Sequence, residues 1–158
     1  MTGGDPQGRI LAIDLGTRRI GVAMSDPTAT IATPLETISP AGERRAAERV
    51  ADLCRRHGVT LVVVGWPRNM DGSRGPAAQQ AQAFAERLRT VAGVPVELWD
   101  ERLSTAAAER TLIEAGVRRE DRRQSRDRVA AAVILQGYLD ARRNRLSQIE
   151  SGHNEERP

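Results

Sequence analysis

Apolar residues fall along this chain in short runs whose period changes, and that period assigns the elements. Arg9-Ile-Leu-Ala-Ile-Asp14 is a continuous apolar run closed by a carboxylate, the pattern of a strand buried on both faces. Leu15-Gly16-Thr17-Arg18-Arg19 turns the chain, and Ile20-Gly21-Val22-Ala23-Met24 reads as a second strand, ended by Asp26-Pro27. Ala32 to Ile38 is a weaker run containing Pro34, which suits a strand at the edge of a sheet, where the missing donor faces outward. Short connections between these runs predict an antiparallel meander.

From Gly42 the apolar spacing becomes helical, with Ala46, Val50, Leu53 and Cys54 on one stripe and Gly58 in the C′ position that ends the helix. Leu61-Val-Val-Val-Gly65 is a short buried strand, and Trp66-Pro-Arg-Asn-Met-Asp-Gly-Ser73 is rich in turn formers, with Asn69, Asp71 and Ser73 expected to build a turn and Ser73, before Pro76, to cap the next helix. A second helix should carry Ala77, Ala81, Phe84, Leu88 and Val91 on one face, and Pro95-Val-Glu-Leu-Trp99 returns as a fifth strand. Ser104 is a candidate N-cap for a helix to about Ala115. Asp127 opens a long helix with Ala131, Ile134, Leu135, Tyr138 and Leu139 on one face. Strands and helices in this order predict an α/β fold: a mixed five-stranded sheet, three antiparallel strands then two parallel, with helices on both faces.

The 158 residues suit one domain, expected over 9–146, with a disordered N-terminus at 1–8 and a disordered polar tail at 147–158. No apolar run approaches a membrane span, and the polar start MTGGDPQG does not read as a signal peptide. A lone Cys54 excludes an intramolecular disulfide and suits a reducing compartment, so a cytoplasmic location is expected. All 24 basic residues are Arg, and the net charge is only +3. Residues 118–128, RREDRRQSRDR, concentrate Arg in one short segment, a candidate phosphate-facing patch whose simpler reading is a solvated, charge-rich loop.

Several chemistries are excluded. Lysine catalysis and the P-loop lack their lysine. His57 sits at a helix end and His153 in the tail, so neither is set up as a general base, and Cys54 shares an apolar stripe and reads as a small buried hydrophobe. What remains is carboxylates at the ends of buried elements: Asp14, Glu101 with Asp100 beside it, and Asp127. Singly, each has a plain structural reading: Asp14 as a turn cap, Glu101 as a partner of Arg102 or Arg18, Asp127 as a helix-dipole partner. Together they would repel one another, and a hard divalent cation, Mg²⁺ or Mn²⁺, resolves that repulsion. Such a site suits phosphodiester hydrolysis.

Four segments carry a resemblance: Ile13-Asp14-Leu15-Gly16-Thr17-Arg18-Arg19-Ile20-Gly21-Val22-Ala23; Val64-Gly65-Trp66-Pro67-Arg68-Asn69-Met70-Asp71-Gly72-Ser73; Asp100-Glu101-Arg102-Leu103-Ser104-Thr105; and Asp127 leading into Ala130–Leu135. In this order they resemble the YqgF (RuvX) family of Holliday junction resolvases and pre-16S rRNA processing nucleases. The resemblance implies a ribonuclease H-like three-layer α/β/α fold and a metal-binding catalytic set falling here on Asp14, Glu101 and Asp127, with one or two Mg²⁺ or Mn²⁺ ions. Trp66 departs from the family's usual Leu; packing against the sheet edge is the simpler role for its indole, and base stacking the other. Thr17, Arg18, Ser104 and Thr105 stand next to the acids and are candidates for holding phosphate oxygens, as are Arg122, Arg123 and Arg126 for the nucleic-acid backbone.

The resemblance implies a nuclease acting on structured RNA or branched DNA, with maturation of the 5′ end of pre-16S rRNA ahead of junction resolution. Junction resolution calls for a homodimer with two related active sites, whereas RNA trimming is within reach of a monomer. An actin-like ATP-binding protein would need a second phosphate-binding turn and about twice the length. A non-catalytic nucleic-acid-binding module would keep the arginine segment beside an idle acidic cluster.

Overall fold

A computed structural model describes residues 8–16, 19–39, 42–67, 71, 73–103, 106–116 and 126–155, the side chains of 126–127 and 150–155 excepted. The elements in chain order are β1 (Arg9–Leu15), β2 (Ile20–Ser25), β3 (Ala32–Ile38), α1 (Glu43–His57), β4 (Val59–Trp66), α2 (Pro76–Val91), β5 (Val96–Asp100), a 3-10 turn (Glu101–Leu103), α3 (Ala106–Glu114) and α4 (Arg126–Glu155). The strands form a 5-stranded sheet in the order β3-β2-β1-β4-β5. β1, β2 and β3 pair antiparallel, while β1, β4 and β5 run parallel, as the sequence pattern predicts. Pro34 lies on the edge strand β3, beside a register shift, where its missing N–H leaves no gap in the ladder.

Side-chain alternation sorts the core into two layers. Leu11, Ile13, Val22, Val62 and Val64 face α1 and α2. Ile10, Ala12, Ala23, Ala32, Leu61 and Val63 face α4 with Leu112 of α3. Alanines stand on both sides of the second face, Ala12, Ala23 and Ala32 on the sheet and Ala131 and Ala132 on α4, which lets α4 lie close against the sheet. Gln136, wholly buried in α4, donates from Nε2 to the Thr30 carbonyl (3.1 Å) and accepts at Oε1 from the Ala32 N–H (2.9 Å), pinning the helix to the start of β3. Ser25 Oγ, also buried, accepts from the Ile10 N–H at 2.9 Å.

Three details depart from the sequence reading. In α2 the buried stripe is Ala78, Ala81, Phe84, Ala85 and Leu88; Ala77 is exposed and Val91 is 40% exposed, because the helix is rotated to set its alanines against the sheet. Ser73 does not cap α2, which Gly75 precedes; its N–H and Oγ donate instead to Asp71 Oδ1, closing a local turn. α4 continues past Ser147 to Glu155, where the polar composition suggests loss of structure. The packed half of the helix has already met the nucleation cost, and Leu146, Gln148 and Ile149 propagate it readily. No helix among the described residues is long and apolar enough to cross a membrane.

Candidate active site

Because β1, β4 and β5 are parallel, their C-terminal ends share one edge of the sheet. Ligand sites of open α/β sheets form beyond such an edge. Asp14 is the penultimate residue of β1, Gly65 that of β4, and Glu101 follows directly on β5. Ile10 and Ala12 of β1, and Leu61 and Val63 of β4, belong to the layer under α4, so the period of two puts Asp14 and Gly65 on that same face. Glu101 lies over Gly65: a Cβ built on that glycine would stand 2.7 Å from Glu101 Oε1 and 2.8 Å from Ile134 Cδ1.

Glu101 and Asp14 meet there within reach of a side-chain hydrogen bond, which favours the protonated form of Glu101. Burial above all, then the charge and hydrogen bond of Asp14, and then the charge of Asp100, push the Glu101 carboxyl up to about 7. The expected surface pairing of Glu101 with Arg102 does not form. Arg102 turns to Asp100, with Nη2 donating to Oδ2 at 2.7 Å and Nε to both carboxylate oxygens. Asp100 is thereby engaged by a cation while Glu101, its neighbour, points inward at another acid.

α4 passes over Gly65 at Ile134 and reaches the opposite edge of the sheet at Gln136, against Thr30 and Ala32. Asp127 belongs to the first turn of this helix. The side chains of Arg126 and Asp127 are outside the described part, as are Thr17, Arg18, Ser104, Thr105, Arg122 and Arg123 altogether. Among the described residues no group of three metal-ligating side chains is assembled; the acids that meet are the pair Asp14 and Glu101.

Trp66 is half-buried against the α1/α2 core layer, with the Arg74 guanidinium 5.7 Å from its ring centroid. Both contacts accord with a packing role for the indole and a cation–π contact on its ring. Cys54 is buried in the same layer, and burial pushes its thiol up to about 11, far from a nucleophile's range. Sequence reasoning gave Gly65 no part in the site. A glycine at the end of a buried apolar strand was the available signal, since such a position marks a close approach by something else.

Residues 8–141 match the family model RuvX, described as Holliday junction resolvase. The chain is similar to a protein of Symbiobacterium thermophilum named "Putative pre-16S rRNA nuclease", 52% identical over 134 residues that cover 85% of this chain and 93% of that one. A Geobacillus thermodenitrificans protein of the same name is 51% identical over 137 residues, covering 85% and 99%. Among solved structures it is similar to Thermus thermophilus RuvC in complex with a Holliday junction substrate, with TM-score 0.58, 19% identity and 85% and 95% of the two chains covered. The fowlpox virus Holliday junction resolvase aligns with TM-score 0.53 and 14% identity over 84% and 99%. At these identities the structural likeness shows the fold, which is that of the ribonuclease H-like resolvases. The family match over nearly the whole sheet and its helices, joined to relatives half identical in sequence, shows that this chain belongs to the RuvX family.

Proposed function

We propose that this chain is a divalent-cation-dependent nuclease that hydrolyses phosphodiester bonds in a precursor of 16S ribosomal RNA. The observation that carries the reading is the meeting of Asp14 and Glu101 over Gly65, at the C-terminal edge of three parallel strands. Two carboxyls that repel one another in a half-buried site form a hard oxygen donor set that Mg²⁺ or Mn²⁺ satisfies. Asp14 and Glu101 would hold the ion, with Asp127 as the proposed third ligand. When bound, the cation supplies Lewis acidity to the scissile phosphate and lowers the pKa of an attacking water.

The remaining work falls to the protein. Burial and the neighbouring Asp14 resist ionisation of Glu101, so a positive partner favours its charged form. Arg102 pairs with Asp100 and offsets part of the repulsion this third acid exerts on Glu101. Arg122, Arg123 and Arg126, with Thr17, Arg18, Ser104 and Thr105, are proposed to hold the nucleic-acid backbone without reading sequence.

Junction cleavage is the second reading, favoured by the description of the family model. The decisive experiment offers purified protein a pre-16S rRNA fragment and a four-way DNA junction side by side, with Mg²⁺ and Mn²⁺ varied, chelator as control and solution mass measured in parallel. Cation-dependent RNA cleavage supports the proposal. Paired incisions in the junction by a dimer, with the RNA left intact, would replace it with the second reading.

A further inference from the structure

Gly65 is a glycine without a backbone reason to be one. Its φ lies outside the left-handed region, and it sits within the parallel β4–β5 ladder opposite Trp99, where any L residue is sterically allowed. In a strand a glycine is weakening, because it loses more freedom on folding and packs nothing. What distinguishes this position is the space above it. A Cβ would come within 2.7 Å of Glu101 Oε1, 3.4 Å of Glu101 Cδ and 2.8 Å of Ile134 Cδ1, and real Cβ contacts under 3.0 Å essentially never occur.

Both close atoms are the far ends of flexible side chains, so an added methyl group is absorbed by moving them, leaving the strands where they are. Glu101 presents two atoms to the added methyl group, Oε1 and Cδ, so displacing it from the floor of β4 shifts its carboxylate relative to Asp14.

We infer that Gly65 is a positioning residue for the cation-holding acids: the missing side chain is the seat in which Glu101 lies to face Asp14. This rests on the proposed nuclease function, because it concerns how the same two carboxylates are aimed. Relieving the overlap takes a shift of several tenths of an ångström or more, and constellations of this kind tolerate about 0.5 Å. A displacement of about 1 Å can cost about 10²-fold in rate.

The test compares the parent chain with Gly65→Ala, Ile134→Val and the double variant in three readouts: thermal midpoint, calorimetric titration with MnCl₂ alone, and cleavage. Expected for Gly65→Ala are a midpoint close to the parent's, Mn²⁺ affinity reduced about tenfold and cleavage reduced about 100-fold. Ile134→Val removes the second overlap; alone it should bind Mn²⁺ and cleave like the parent with a slightly lower midpoint, and it should not rescue Gly65→Ala. In a Glu101→Asp background, where the acid is one methylene shorter, adding Gly65→Ala should cost little, the signature of two coupled residues.

Parent-like Mn²⁺ affinity and cleavage in Gly65→Ala would overturn the inference, as would full rescue by Ile134→Val, which would make the effect one of helix packing. A crystal structure of Gly65→Ala decides the matter even for a parent that neither binds Mn²⁺ nor cleaves, a result that would count against the nuclease reading. Glu101 lifted away from Asp14 upholds the seat, and Glu101 unmoved refutes it.

Discussion

The carboxyl of Glu101 lies against that of Asp14 and shares a hydrogen bond with it, in a site where burial first and the neighbouring acid second hold Glu101 up to about 7. Without a cation this pair is a cost to the fold; with one it is a binding site. Asp14→Asn and Glu101→Gln should each lower cleavage by about 10³-fold, equivalent to several kcal/mol of lost transition-state stabilisation. Both variants should fold, and in chelator near neutral pH Asp14→Asn should melt no lower than the parent, because it removes a repulsion. Retained cleavage in either variant, assayed with saturating Mn²⁺, would exclude these acids from the chemistry.

The same pair sets a pH dependence. Glu101 ionises near its ordinary 4.5 in the unfolded chain and near 7 in the fold, so between those values the folded protein binds more protons. Its contribution to stability is therefore complete below about 4.5 and is lost as pH rises through about 7. Thermal midpoints in chelator should reflect that loss, and Glu101→Gln or added Mn²⁺ should flatten it. An unchanged profile in Glu101→Gln would contradict the assignment.

Asp26 acts with the opposite sign. Burial works to raise its carboxyl, but the summed hydrogen bonds from the Ile31 N–H, the Thr28 hydroxyl and the N–H groups of Thr30 and Thr28 outweigh it and hold the group at about 2. Its stabilisation is present above the ordinary value of 3.8 and disappears as pH falls toward 2. Asp26→Ala should lower the melting temperature at pH 6 and make little difference at pH 2, measured on the same preparations.

Gln136 is a structural counterpart to the acidic pair. Replacing it with Leu leaves the buried Ala32 N–H without its partner, at a cost of about 1–3 kcal/mol, while the Thr30 carbonyl still accepts from Arg143 Nη2 at 3.3 Å. A lower urea midpoint with an unchanged slope is the expected result. A midpoint equal to the parent's would mean that α4 does not depend on this bridge.

Arg122, Arg123 and Arg126 are proposed to lie against phosphates, so replacing all three with Ala should weaken binding to RNA and DNA alike. The slope of log affinity against log salt should fall by about one for each phosphate no longer neutralised. Weaker binding to one sequence only, with the slope unchanged, would place these residues at base edges instead.

Much of this was legible in the chain because strong local signals and the fold agree. The unbroken apolar run ending in Asp14 could only be a central strand, Pro34 had to be at an edge, and Gly58 stands in the left-handed conformation that ends α1 with φ of 65°. Glu101 was found as an acid following a strand and read two ways, as a member of an acidic set with Asp14 and Asp127 or as a surface partner of Arg102 or Arg18. The 3-10 turn after Asp100 turns Arg102 back to Asp100 while Glu101 faces Asp14. Gly65 could not be read as a seat for Glu101, because the close approach joins residues far apart in the chain and leaves no periodic trace. The face of α2 was misjudged for a related reason: in an alanine-rich helix, hydrophobicity hardly distinguishes Ala77 from Ala78, and sheet packing chooses between them.

The central claim, that Asp14 and Glu101 together hold a catalytic cation, is tested most directly by anomalous diffraction from crystals soaked in MnCl₂. The account predicts a manganese peak within about 2.0–2.6 Å of oxygens from both carboxyls, the spacing of hard-cation ligands, with their mutual hydrogen bond broken. Manganese bound elsewhere, with Asp14 and Glu101 still hydrogen-bonded to each other, would contradict it.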